Sequence, residues 1–228
     1  MAWLGFRSYQ RMISGLIGAA LLSSFAGCER STSPQPVIVV PAADATAAAQ
    51  PTAVEFDGIF PVELNHQSDG MVHRLKLTGT AVRKAMLLKI YQIASYCDDS
   101  TSPTCVDTLA AADVPKQLCL TMERDIPASI LSRGFKEAFE KNDPEGKFAD
   151  ESKTMLDHML KAPLKEGESV WITHRPGQGI TVRVRDEEPI AVNNPEFAHL
   201  VWRVYMGPQG VCPKVREGLG ERLAAAPH

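Results

Sequence analysis

Over Lys116–Met122 apolar and polar positions alternate, with Leu118, Leu120 and Met122 set against Gln117, Cys119 and Thr121. A period of two predicts a half-buried strand there. Phe56–Leu64 and Met71–Gly79 read as the first strands, Val72, Leu75 and Leu77 being apolar in a roughly alternating setting and Ser68-Asp69-Gly70 supplying the turn of a hairpin. Met86–Tyr96 is an apolar run bounded by the polar turn Asp98–Pro103, and its Ile90, Tyr91, Ile93 and Tyr96 favour a central strand over a helix. The period then changes. Ile130, Leu131, Phe135, Ala138 and Phe139 fall at helical spacing over Pro127–Lys141, with proline in the first turn. A second helix spans Lys147–Lys161, striped by Phe148, Met155, Leu156, Met159 and Leu160, with Asp150 and Glu151 suiting its N-terminal dipole. Ser169–Thr173 and Ile180–Val184 flank Arg175-Pro176-Gly177-Gln178-Gly179 and read as another hairpin. Asn194 caps a helix running from Pro195 to Met206, stopped by Gly207-Pro208, and a terminal helix covers Pro213–Leu223. This order predicts an α+β protein whose antiparallel sheet is covered on one face.

The N-terminus follows a different pattern. Arg7 and Arg11 precede about fifteen mostly apolar residues, Met12 to Ala26, which is short for a membrane span. Small residues lead to Cys28, the layout of a bacterial lipoprotein signal over residues 1–28, with acyl chains on Cys28 holding the mature protein to a membrane. Glu29 after the cysteine is compatible with the outer membrane. Residues 29–53 are rich in Ala, Pro, Thr and Ser, with prolines at 34, 36, 41 and 51, and read as an extended tether. The folded unit is expected over 54–228, in the periplasm.

Composition changes this picture in two ways. Without residues 1–28, which carry two arginines and no carboxylate, the formal charge falls from −3 to −5, so nucleic acid is not an expected partner. Gly-rich phosphate loops, Cys-x-x-Cys pairs and His-x-x-x-His spacings are absent, and the sequence gives no support for a cofactor or a metal. An exported chain with Cys97, Cys105, Cys119 and Cys212 left after Cys28 suggests disulfides. A local Cys97–Cys105 bridge is the simplest choice, leaving Cys119 for Cys212, although four cysteines allow three pairings.

Several segments together resemble the chalcone isomerase-like family, in particular its exported bacterial branch. They are Phe60-Pro61, Leu77-Thr78-Gly79-Thr80-Ala81-Val82-Arg83, Lys89-Ile90-Tyr91 with Tyr96, the stretch His174 to Val182, and Val204 to Leu223 containing Met206-Gly207 and Val211-Cys212-Pro213. The resemblance covers about residues 56 to 224. It implies an open-faced β-sandwich, a curved antiparallel sheet backed by helices with a ligand cleft between them. Members include isomerases that close a flavanone ring on a chalcone, fatty-acid-binding proteins, and exported bacterial proteins of unclear role.

Arg83 matches the arginine that the enzymes and the fatty-acid binders both place in the cleft, where a planar guanidinium clasps a carboxylate or steadies a phenolate. Tyr91 falls where the enzymes carry threonine and the binders tyrosine. The tyrosine and asparagine of the enzymes' long helix register on Leu131 and Ala138, and their later hydroxyl on Val204, none of which offers a side-chain hydrogen bond. The resemblance therefore implies a protein without catalysis whose cleft, polar only at Arg83 and Tyr91, takes a small amphiphile such as a fatty acid. Two alternatives are an intramolecular lyase acting on a chalcone-like phenol and an envelope interaction module with a filled cleft.

Overall fold

A computed structural model of the chain describes residues 56–223 apart from Asp69 and Met86. The expected leader, its Cys28 and the 29–53 tether lie outside the described residues. Among the described residues nine strands and five helices follow one another as β1 (Phe56–Asp57), β2 (Phe60–Pro61), β3 (Glu63–Ser68), β4 (Met71–Ala85), β5 (Leu88–Asp98), α1 (Val106–Ala111), β6 (Lys116–Met122), α2 (Ala128–Asn142), α3 (Ala149–Met159), β7 (Ser169–Arg175), β8 (Gly179–Val184), β9 (Ile190–Val192), α4 (Pro195–Met206) and α5 (Pro213–Leu219). Strands β3 to β9 form one antiparallel sheet in sequence order, and β1 pairs only with β2. A meander of this kind needs only short connections or a helix laid back over the sheet. The α+β sheet-and-helix architecture expected from the sequence is the one observed.

One face carries the main core. Leu118 and Leu120 of β6, Val170 and Ile172 of β7, and Ile180, Val182 and Val184 of β8 are fully buried there against the helices. Each such side chain contributes about 1.5–3 kcal/mol through burial. Helix α4 is apolar nearly all round, with Phe197, Leu200, Val201, Trp202, Val204, Tyr205 and Met206 buried, because it is wedged between β8 and the helices α1, α2 and α5. Its start is fixed by the Asn194 side-chain oxygen, which accepts from the backbone N–H groups of Glu196 (3.0 Å) and Phe197 (3.1 Å). On the opposite face a smaller cluster gathers Phe60, Leu75, Leu77, Ala94, Tyr96 and Cys119 beside Trp171.

A bulge in β4 decides where Arg83 points. Before it, Leu75 and Leu77 face the smaller cluster, and Leu77 lies opposite Tyr96; after it, Ala81 faces Ile93 on the helix-covered side. The register shift between Leu77 and Gly79 inserts Thr78, and a one-residue insertion exchanges the two faces of a strand. Helix α5 holds the bulge. Thr78 Oγ1 donates to the carbonyls of Ser95 (3.1 Å) and Leu219 (2.9 Å), and the N–H of Arg222 donates to Thr78 O at 2.9 Å. Gly79 permits the approach, since a Cβ there would sit 2.0 Å from Gly218 O.

Several expectations need correction. The single strand expected over Phe56–Leu64 is broken by Gly58, whose φ of 62° turns the chain between β1 and β2. Helix α5 stops at Leu219 rather than Leu223 because the residues beyond it turn to meet the β4 bulge. Helix α1 and strand β9 were not expected; six and three residues are too few to show a period. No disulfide links Cys97, Cys105, Cys119 and Cys212, which are all free thiols. Cys119 faces the smaller cluster while Cys212 packs against the main core, so the sheet stands between them. Cys97 Sγ pairs instead with Thr101 Oγ1 at 3.2 Å, and Cys105 Sγ turns to Thr108 Oγ1 at 3.6 Å.

Candidate functional site

Arg83 and Tyr91 are direct partners across β4 and β5 and so project from the same face, toward α2. Both line a cavity of about 160 Å³. Ala85 and Ile90 complete its sheet side, Ile130, Leu131, Gly134, Phe135 and Ala138 form its helix side, and Gln209, Gly210 and Val211 close it from the loop between α4 and α5. The exposed side chains of Glu137 and Lys141 complete the lining. Leu131 and Ala138, the positions that register on the enzymes' tyrosine and asparagine, both belong to this wall.

The two polar groups differ in burial. Arg83 is half-buried, and among the described residues its guanidinium meets one acceptor, the carbonyl of Lys84 at 2.8 Å. Four of its five N–H donors are therefore open to a ligand. Tyr91 is 5% exposed, and burial pushes its phenol well above the usual range while the neighbouring Arg83 charge pulls it down. It stays protonated at neutral pH, with an O–H that can donate. Gly134, inside α2, was not singled out by the sequence. A Cβ placed there meets nothing within 4 Å, so a residue that costs a helix about 1 kcal/mol relative to alanine leaves room in the wall.

A second polar cluster, not expected from the sequence, lies at the other end of the same face. Lys116 shares the inward parity of Leu118 and is 0% exposed. Its ammonium donates to the carbonyls of Leu109 (2.8 Å), Ala110 (3.0 Å) and Ala112 (2.5 Å) at the end of α1, and lies 4.8 Å from the Trp202 ring centroid. Trp202 Nε1 donates to His174 Nδ1 at 3.1 Å, which leaves Nε2 of a neutral His174 to donate to Asp113 at 2.8 Å. Asp113 also accepts from the N–H of Gly177 in the β7–β8 turn. Burial pulls Lys116 down to about 8. Burial, aided by the Lys116 charge, pulls His174 down to about 4 against Asp113. Every member is committed to a protein partner, so this cluster ties α1, α4 and the sheet together.

A larger hollow of about 760 Å³ lies between α1, the α2–α3 connection and α4. It is an open groove in which Lys147 pairs with Glu196, while Asp107 pairs with Arg216, outside the lining. Its size alone does not make it the better site. Among the described residues no three His, Cys, Asp or Glu side chains converge in a metal-binding group.

A family model described as chalcone isomerase-like matches residues 55–219. Among solved structures, the crystal structure of a fatty-acid-binding protein from Arabidopsis thaliana is similar, with a TM-score of 0.52 and 13% identity over 72% of this chain and 98% of that one. At that identity the likeness speaks for the fold. No curated protein matches the sequence.

Proposed function

Because the chain belongs to the chalcone isomerase-like family, we propose that it binds a small amphiphile without transforming it, with the carboxylate or phenolate head at Arg83 and Tyr91. One observation carries this reading: an arginine with unused donors and a protonated tyrosine stand side by side at a cavity whose remaining wall is mostly apolar. The neighbouring fold of a fatty-acid-binding protein agrees with it. Cavity size sharpens the proposal. Pockets for drug-sized ligands run to about 300–1,000 Å³, and an apolar cavity of about 150 Å³ takes one benzene. The 160 Å³ here admits the head and first carbons of an acyl chain, or one aromatic ring, with the remainder leaving through the mouth. Export with acylation at Cys28 is part of the proposal and rests on the basic, apolar and small-residue pattern of residues 1–28.

Titration of dodecanoate into the protein, followed by calorimetry, tests the head group. Arg83→Ala lowers affinity by about tenfold or more, the scale of a charge-assisted hydrogen bond of roughly 1.5–3 kcal/mol. Tyr91→Phe lowers it by about threefold, and Gly134→Leu, which fills the wall, abolishes binding while the fold is kept. Equal affinities across the four proteins refute the reading. Native mass spectrometry of protein extracted gently from membranes reads the N-terminus at the same time; a chain that does not begin at an acylated Cys28 removes the anchor. The lyase alternative is disfavoured by Leu131 and Ala138 in the cavity wall, which put apolar side chains at the two positions that register on the enzymes' tyrosine and asparagine.

A further inference from the structure

At the far end of the β4–β5 hairpin the surface changes character. Leu87 is 95% exposed and Leu88 52%, and across the cavity mouth Ile130 of α2 is 48% exposed. Ile130 lines the cavity together with Ala85 and Ile90, and Leu87 and Leu88 lie in the hairpin tip between those two strand residues. Immediately behind the leucines, Lys84 and Lys89 are exposed and directly opposite each other in the strand pairing. Like charges placed opposite on a sheet repel. Neither lysine has a carboxylate partner among the described residues, in a chain whose formal charge is −3. From Arg83 through Tyr91 the sequence holds three cations, Arg83, Lys84 and Lys89, and no acid.

We propose that this hairpin tip docks on an anionic lipid bilayer, Leu87 and Leu88 entering the apolar layer while Lys84 and Lys89 meet phosphate head groups, so that the cavity mouth opens at the lipid surface. The repulsion between the paired lysines is relieved by anions in front of them, and long side chains behind apolar ones reach the head groups while their stems stay in the interface. A protein partner fits the surface less well, since a stable protein interface buries about 800 Å² on each side. A narrow hairpin end offers far less, whereas a bilayer needs only a few inserted side chains with cations beside them. The link to the cavity rests on the amphiphile-binding reading: a ligand whose head reaches Arg83 keeps its remaining chain in the bilayer from which it came.

The test uses the full chain carrying Leu87→Trp, a position exposed enough to accept the larger side chain. On vesicles of phosphatidylglycerol mixed with phosphatidylcholine brominated in its acyl chains, the added tryptophan is expected to shift to the blue and be quenched relative to the parent, whose own tryptophans supply the background. Both effects are expected to fall by more than half on vesicles of brominated phosphatidylcholine alone, and in Lys84→Glu plus Lys89→Glu on the mixed vesicles. Emission at position 87 that is the same on vesicles as in buffer overturns the proposal, as does quenching indifferent to lipid charge. Dodecanoate titration of the parent and of Arg83→Ala without vesicles separates the two readings: insertion with no effect of Arg83→Ala on dodecanoate sinks the ligand and leaves the docking, and the reverse result sinks the docking alone.

Discussion

Arg83 and Lys116 are both cations on the helix-covered face of one sheet, separated by roughly 20 Å along β5, since their cross-strand partners there are Tyr91 and Cys97. Lys116 is sealed, gives its three donors to three carbonyls and lines neither of the two hollows described above. Arg83 is half-buried, gives one bond to a neighbouring carbonyl and borders a cavity. Desolvating a charge is costly, and only complete hydrogen bonding offsets it. The first cation is thus bound up with folding, and the second keeps its bonding capacity for something the chain does not contain. Burial and charge alone do not separate a structural cation from a functional one; the count of unused donors facing open space does.

The strongest way to break this comparison is to remove both cations and compare stabilities. Lys116→Met keeps the stem but orphans three carbonyls at the end of α1, and is expected to lower the unfolding free energy by about 3–5 kcal/mol, read from urea midpoints. Arg83→Ala is expected to change it by less than about 0.5 kcal/mol. Equal losses would end the distinction. Next in size is the acid response of the sealed cluster. His174 is neutral in the folded protein and its pKa falls from 6.5 to about 4, so the unfolded chain binds the extra proton between those values. The stabilisation from the neutral ring is full above pH 6.5 and is lost as pH falls toward 4, on the order of 3 kcal/mol. Asp113, Lys116 and His199 surround the ring, and Asp113, held below the usual carboxylate range, gives way only at still lower pH. His174→Gln is expected to flatten the urea midpoint between pH 6.5 and 4. An unchanged slope would place the acid sensitivity elsewhere.

The sequence made the elements legible where the period was long. Strand β6 and helix α4 fall on the expected residues, and α2 and α3 differ only at their ends, because strict alternation marked the buried face of the strand and a stripe of apolar side chains marked that of each helix. Arg83 and Tyr91 were located through the resemblance, yet their meeting depends on the extra residue at Thr78, which no alternation pattern displays. Without that bulge the parity of Leu75 and Leu77 would have carried Arg83 to the opposite face. The Lys116 cluster was missed for a related reason. Lys116 continues the inward parity of Leu118, Leu120 and Met122, and a lysine there was the available signal, but its three acceptors lie on a helix too short to foresee. His174 shows no ligand spacing in the sequence, because its partners, Asp113 and Trp202, are distant along the chain.

Tyr205 sets the smallest effect and tests the donor-counting rule from the other side. Its ring stands edge-on to Phe135 at 6.4 Å, it is 1% exposed, and its hydroxyl is buried without a hydrogen-bond partner among the described residues. Burial, reinforced by the neighbouring Tyr91, holds the phenol far above its usual range, so the group is a neutral donor and acceptor with neither function used. Leaving a buried hydroxyl unpaired costs about 1–3 kcal/mol, while deleting it removes that cost with little loss of packing. Tyr205→Phe is therefore expected to leave stability unchanged or raise it by about 1 kcal/mol, a melting-temperature gain of roughly 2–4 °C for a domain of this size. A loss beyond about 0.5 kcal/mol would mean that the hydroxyl has a partner, such as an ordered water, and belongs with Lys116 among the satisfied groups. A gain would show that two buried polar side chains on one face, alike in exposure, act on stability with opposite sign because one is fully bonded and the other is not.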